Sequence, residues 1–219
     1  NAAAVEALCD PADHQFVEHG GDLVSGAVVD HQHGLDGAKA ETDFLRFALG
    51  ERILVTSRRS PLYSADATRK LLATGARMKT PLELFEALIS AISDCSGKMM
   101  RDLASSLDEI EDNVVIEGRG RDQRGRLGRA RREVTRLARQ VTGLQSTLQR
   151  LEEAAREAEH EILSDLAASL SQRAESLSRD ATNLQDRARM LQEEINAILT
   201  LETNDRLYIL TIVTAALLP

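Results

Sequence analysis

The sequence predicts an α+β fold: a small mixed or antiparallel sheet, truncated on its N-terminal side, then a long antiparallel helical hairpin, then one very long stalk helix. Three observations carry this. The first sixty residues hold short segments of strand character separated by glycines; two apolar stripes of helical period follow, over 85–114 and 127–151; a third runs from Leu163 to Ile198 without Gly or Pro. The expected division is 1–62 for the sheet domain, 63–158 for a short helix plus the hairpin, and 159–219 for the stalk.

In the first part, Gln15–Glu18, Leu23–Asp30, Asp43–Leu49 and Arg52–Ser57 are the strand candidates. Gly20-Gly21 and Gly50-Glu51 read as tight turns, and His31–Ala40 reads as a longer loop. Ala2–Leu8 is a short helix ended by Pro11. Ser64 is placed to N-cap a short helix that runs to Thr74, where Gly75 stops it. Thr80-Pro81-Leu82-Glu83 then combines a capping-box Thr and Glu with proline at the first helical position, where its missing N–H costs nothing. From there Phe85, Leu88, Ile92, Met99, Leu103, Leu107, Ile110 and Val114 recur at steps of three, four or seven, as one amphipathic helix requires.

Gly118, Gly120 and Gly125 mark a break. After it Leu127, Val134, Val141 and Leu148 repeat every seven residues, with Ala130, Leu137, Leu144 and Leu151 between them, a heptad seam. The register shifts near Glu159. A third stripe then follows through Leu163, Leu170, Leu177, Leu184, Leu191 and Ile198, interleaved with Ala167, Ala174, Ala181, Ala188 and Ile195. At 1.5 Å per residue a helix from Glu161 to Leu218 is on the order of 85 Å long, more than a 24 kDa globule can enclose. It projects, assembles with copies of itself, or both.

Composition narrows the function. The 219 residues are 42% hydrophobic, enough for a buried core, but only 3% aromatic with no Trp, which suits helices packed through aliphatic stripes. The net charge of −8 argues against nucleic-acid binding, although nine Arg stand against Asp122 and Glu133 between Arg119 and Arg139, giving +7 there and leaving −15 elsewhere. That segment lacks interleaved aromatics for base stacking and sits at the hairpin tip. Two cysteines, Cys9 and Cys95, suit a reducing compartment. The chain opens without Met or the layout of a signal peptide, which reads as an internal start. No catalytic or phosphate-binding motif is present, so no enzyme is expected.

No apolar run reaches the ~20 residues that cross a bilayer, and length alone leaves Leu207–Leu218 open between a buried helix end and the start of a membrane helix. The wording of Thr203-Asn204-Asp205-Arg206-Leu207-Tyr208-Ile209-Leu210-Thr211-Ile212-Val213-Thr214-Ala215-Ala216-Leu217-Leu218-Pro219 resembles the beginning of the first transmembrane helix in CorA/ZntB-type divalent cation transporters. Arg52-Ile53-Leu54-Val55-Thr56-Ser57-Arg58-Arg59 is similar to that family's last strand, and Leu107-Asp108-Glu109-Ile110-Glu111-Asp112-Asn113 to the acidic end of its first hairpin helix, in wording nearer the ZntB branch. The family's Gly-Met-Asn or Gly-Val-Asn signature and its second transmembrane helix are absent from the sequence.

The resemblance implies the cytoplasmic part of a homopentamer at the inner membrane, with Mg2+ or Zn2+ as the transported and regulatory ion and the membrane reached through the last helix. It implies that Asn204 forms a ring of amides at the pore mouth, that Leu207, Leu210 and Leu218 form apolar constrictions, and that Thr214 offers a hydroxyl on the same face. Asp186 and Glu193 would stack as acidic rings above that mouth. His31 and His33, with Asp30 and Asp36 nearby, are the metal candidates of the sheet domain, against the plain reading of a polar loop. The acidic run Asp108, Glu109, Glu111 and Asp112 reads first as a solvated helix face. The resemblance also turns the hairpin tip back towards the membrane, where Arg119, Arg121, Arg124 and Arg126 would meet anionic headgroups. The alternatives are a soluble coiled-coil scaffold or a non-conducting metal-sensing homologue.

Overall fold

The computed structural model describes residues 2–9, 14–20, 23–32, 42–115 and 120–217. In chain order these form α1 (Ala2–Cys9), β1 (Phe16–Gly20), β2 (Leu23–His31), β3 (Thr42–Leu49), β4 (Leu54–Ser57), α2 (Tyr63–Ala73), α3 (Pro81–Val115), α4 (Gly120–Glu157) and α5 (Glu161–Leu217). The expected α+β architecture is present: an antiparallel four-stranded meander in the order β1-β2-β3-β4, followed by long helices.

Contacts divide the chain into two compact units. Unit 1 comprises Asn1–Met99 and Leu137–Asp180, and unit 2 comprises Met100–Arg136 and Ala181–Pro219. In unit 1 the register Val24↔Leu49, Gly26↔Phe47 and Val28↔Leu45 gathers the large apolar side chains of β2 and β3. They share one core with Phe85, Leu88, Ile89 and Ile92 of α3, Leu144, Leu148 and Leu151 of α4, and Leu163, Ala167, Leu170 and Ala174 of α5. The Phe47 and Phe85 rings meet at 4.8 Å in a tilted pair. Gly26 is required by the close approach of β1: a Cβ there would lie 2.4 Å from the Phe16 carbonyl oxygen. In unit 2, Leu107, Ile110 and Val114 pack with Leu127, Ala130, Ala188, Leu191 and Ile195 as a three-helix core. Small Ala on α5 opposite larger Leu and Ile lets the helices approach closely.

Several boundaries differ from the sequence expectation. β1 runs to Gly20, and β2 runs through His31, so the first residue of the expected loop His31–Ala40 belongs to the sheet, where His31 pairs with Thr42 at the start of β3. Three further differences have a local reason. β4 starts at Leu54 rather than Arg52 because Gly50 N–H donates to the Ile53 carbonyl at 2.9 Å and draws Arg52 and Ile53 into the turn. β1 starts at Phe16, while the Gln15 side-chain oxygen accepts Val29 N–H at 3.3 Å. Gly120 and Gly125 lie inside α4, so of the proposed break only Gly118 falls outside the described residues.

Ser64 does not cap α2. The helix begins at Tyr63 with Leu62 in the cap position, and Leu62 makes no side-chain cap bond. Ser64 is buried and gives both its donors to Asp30, Oγ at 2.6 Å and N–H at 3.0 Å from the same carboxylate oxygen. The first turn of α2 is therefore capped from the sheet, by a carboxylate 34 residues upstream. The cap of α3 is as expected: Thr80 Oγ1 accepts Glu83 N–H at 3.2 Å, while Glu83 reaches back to Lys79 N–H at 2.7 Å.

The register shift near Glu159 is a tight helix–helix turn. His160 N–H donates to Ala155 O and Glu159 N–H to Arg156 O, the paired bonds of a Schellman C-cap. Glu159 occupies its left-handed position at φ 56°, where glycine is the usual residue. Glu159→Gly is therefore expected to stabilise the protein by about 1 kcal/mol, after the gain from relieved strain is offset by added unfolded-state freedom. Urea denaturation of the pair of proteins checks this; a loss of stability would refute it.

Candidate functional site

The sequence-predicted pore residues lie on α5, a 57-residue helix whose amphipathic pattern changes along its length. Through Ala181, Ala188, Leu191 and Ile195 one stripe is buried against α3 and α4. Asp186, Glu193 and Asn204 are exposed. At 100° per residue these three fall within about 20° of one another, on the face opposite that stripe. Leu207, Leu210 and Thr214 continue the helix within an arc of about 60°, all exposed; Leu218 lies outside the described residues.

The last four turns are exposed all round: Leu207, Tyr208, Ile209, Leu210, Ile212, Val213 and Leu217 each show roughly half or more of their surface to solvent. A run of seven large apolar side chains with nothing over them costs about 25 cal/mol per Å2 of apolar surface and calls for a partner or a lipid environment. Among the described residues no helix is long and apolar enough to cross a membrane. The hydroxyls in this stretch are turned inward to the helix: Thr211 Oγ1 donates to Leu207 O and Thr214 Oγ1 to Leu210 O, at 2.8 and 2.7 Å. This satisfies their protons and leaves the oxygen lone pairs outward, the only part a cation could use. The Asn204 side chain makes no hydrogen bond among the described residues, so its carboxamide oxygen keeps its acceptor capacity.

The candidates in the sheet domain are not brought together. His31 is buried, with Nε2 3.3 Å from Ser96 Oγ of α3, while Asp30 turns to Ser64 at the start of α2. His33 and Asp36 lie outside the described residues. Among the described residues, no three His, Cys, Asp or Glu are placed to hold a metal ion. Burial pushes the Asp30 carboxyl above its ordinary value, against the lowering by Ser64 and by His31 N–H. Burial likewise raises the Cys95 thiol to about 11, which makes it a poor metal ligand at neutral pH.

The acidic run of α3 is engaged in packing. Arg187 of α5 forks between Asp108, at 2.6 Å, and Glu111, and both carboxylates hold the guanidinium protonated above its ordinary range. Glu109 binds Arg126 of α4 at 2.8 Å. Sequence reasoning missed Arg187, because nothing in its own segment distinguishes it from the exposed Arg189 on the other side of Ala188. These bridges also fix the heights of the three helices. With residues 108–111 level with Arg187 and Glu109 level with Arg126, Arg124 lies on the order of 25 Å below Leu207. That is about three Debye lengths at physiological ionic strength, so a contact of Arg124 with headgroups at the level of Leu207 is not supported. Arg126 is already paired with Glu109, and the side chains of Arg119 and Arg121 lie outside the described residues.

Comparisons with known proteins agree on one group. The sequence pattern of the family described as CorA-like Mg2+ transporter protein matches residues 4–219. Among solved structures, full-length CmaX superposes with TM-score 0.87 at 21% identity, covering 100% of this chain and 67% of its own. The complete CorA magnesium transporter of Methanocaldococcus jannaschii gives 0.81 at 14% identity, covering 99% and 68%. The ZntB cytoplasmic domain of Vibrio parahaemolyticus RIMD 2210633 gives 0.62 at 13%, covering 94% and 79%. At these identities the likeness shows a shared fold. No protein with a curated description matches the sequence.

Proposed function

Because the chain belongs to the CorA-like Mg2+ transporter family, we propose that it serves as the cytoplasmic part of a divalent cation transporter in which α5 carries the ion path into the membrane. The observation that carries this is the change of character along one helix. A buried stripe gives way after Ile198 to seven exposed apolar side chains, with Asp186, Glu193 and Asn204 aligned on the outer face that leads to them. The superpositions on the two full-length structures cover this last stretch as well.

In this reading five copies surround the path with that outer face inward. Asp186 and Glu193 raise the local concentration of Mg2+ or Zn2+ through their negative potential. Asn204 meets the ion at the mouth, where amide oxygens replace or hold part of its water shell. Leu207 and Leu210 narrow the path with apolar rings that exclude water until it widens, and Thr214 supplies oxygen lone pairs beyond them. The ion is cargo, and its identity between Mg2+ and Zn2+ is settled by the assay.

The test is flux of Mg2+ and of Zn2+ through the full-length protein in liposomes, with Asn204→Ala beside it. We expect saturable flux of at least one ion, changed by about tenfold in the variant, the effect of some 1.4 kcal/mol at one ring. Absence of flux for both ions, with the protein folded and inserted, would overturn transport; metal binding without flux would then point to a sensor.

A further inference from the structure

The three helices of unit 2 present outer faces of unlike charge. On α4, Arg124, Arg129, Arg131, Arg132 and Arg136 are exposed and make no ion pair among the described residues. At 100° per residue Arg129, Arg132 and Arg136 lie on the side opposite Leu127, Ala130 and Val134, and Arg124 and Arg131 lie on the flank beside it, so together they form a basic strip about 18 Å long that curves round the helix. On α3 the outer face is acidic on balance, with Asp102, Asp108, Glu109 and Asp112 against the exposed Arg101 beside Asp102. Asp102 and Asp112 are exposed and unpaired among the described residues, beside Asp108 and Glu109, which already hold Arg187 and Arg126.

We propose that the basic strip of α4 docks against the acidic face of α3 in a second copy of this chain, side by side in a closed ring. The proposal rests on the self-assembly part of the reading above. A like-with-unlike arrangement on two different helices of one unit is what a heterologous, ring-closing interface needs, because each copy then offers one face to each neighbour. In a ring about an axis parallel to the helices, every copy stands at the same height. The Glu109–Arg126 bridge marks equal height on α3 and α4. Counting outward from it in opposite directions along the antiparallel helices brings Arg124 level with Asp112 and Arg132 level with Asp102. These two pairs are the contacts assigned. An electrostatic seam of this kind chooses the partner face and register more than it adds affinity.

The experiment uses the full-length protein with Cys9 and Cys95 changed to Ser. Chains carrying only Asp112→Cys are mixed with chains carrying only Arg124→Cys, and oxidised after assembly. Covalent dimers are expected from the mixture and not from either chain alone. The same is expected for Asp102→Cys with Arg132→Cys, while the crossed pair Asp112→Cys with Arg132→Cys, about 14 Å apart in height, serves as the negative control. In parallel, Arg124→Glu with Arg132→Glu should weaken assembly about tenfold at low salt, and adding Asp112→Arg with Asp102→Arg should restore most of it. Assembly that persists without the mixed cross-link, or with the crossed pair linking as well, overturns the interface and leaves the transporter reading standing. A protein that stays monomeric in membranes overturns both this interface and the assembly it rests on.

Discussion

Replacing Asp30 with alanine is expected to lower the unfolding free energy by about 3 kcal/mol. The carboxylate accepts three buried donors: the Ser64 hydroxyl at 2.6 Å, Ser64 N–H at 3.0 Å and His31 N–H at 2.7 Å. Each buried donor left without an acceptor costs about 1–3 kcal/mol, and the relief of an ion's desolvation returns part of the sum. Asp30→Asn should cost less, because one carbonyl oxygen remains to face Ser64. Urea denaturation gives the number, and a loss below 1 kcal/mol for the alanine variant would show that α2 does not depend on the sheet for its cap.

The same residue carries a pH signature of unusual sign. Its folded carboxyl is raised above the ordinary 3.8, so the folded chain holds this proton more tightly than the unfolded one. Its contribution to stability is therefore present at low pH and falls as pH rises from about 3.8 through the raised value. Asp66 runs the other way. Lys70 and Arg69 beside it lower its carboxyl to about 2, so what it contributes is present above about 3.8 and fades as pH falls towards 2. Comparing wild type with Asp30→Asn across pH 4–7 isolates the first effect, since Asp66 stays ionised there; the wild type should lose stability relative to the variant as pH rises.

Leu107→Ala should cost a comparable amount, about 2–5 kcal/mol, and should act on unit 2. Leu107 is fully buried between Ile110, Leu127, Ala188 and Leu191, and the alanines opposite it have no side-chain length with which to fill a cavity. Hydrogen exchange provides the readout. Amides of Met100–Arg136 and Ala181–Leu199 should lose protection before those of the sheet. Equal loss throughout would mean that the two contact-defined units open as one.

The helices were legible in the sequence because their determinants are local. Leu127, Val134, Val141 and Leu148, with their interleaved partners, are all buried as the heptad spacing requires. Thr80 and Glu83 form their capping bonds within four residues of chain. The uninterrupted stripe from Leu163 likewise forms a single helix. The resemblance to CorA/ZntB transporters rested on short runs of wording, and the family match over residues 4–219 agrees with it.

Ser64 shows where local reasoning ends. Its type and position fit an N-cap, yet a stronger acceptor, Asp30, arrives from a strand 34 residues away and takes both its donors. Arg187 is another case: a lone arginine on a long helix reads as solvated until folding brings two carboxylates from 76 and 79 residues away onto its guanidinium. Arg46, buried in β3 with its guanidinium 5.8 Å from the Phe44 ring, carries no local sign of burial at all. By itself, then, the sequence determined the period of each long helix and the apolar character of the last turns of α5, because backbone geometry and hydrophobic spacing act within a few residues. Only the tertiary structure decided which charges pair, what caps α2 and which face of α5 is left outward, because those depend on groups that meet after distant segments have packed.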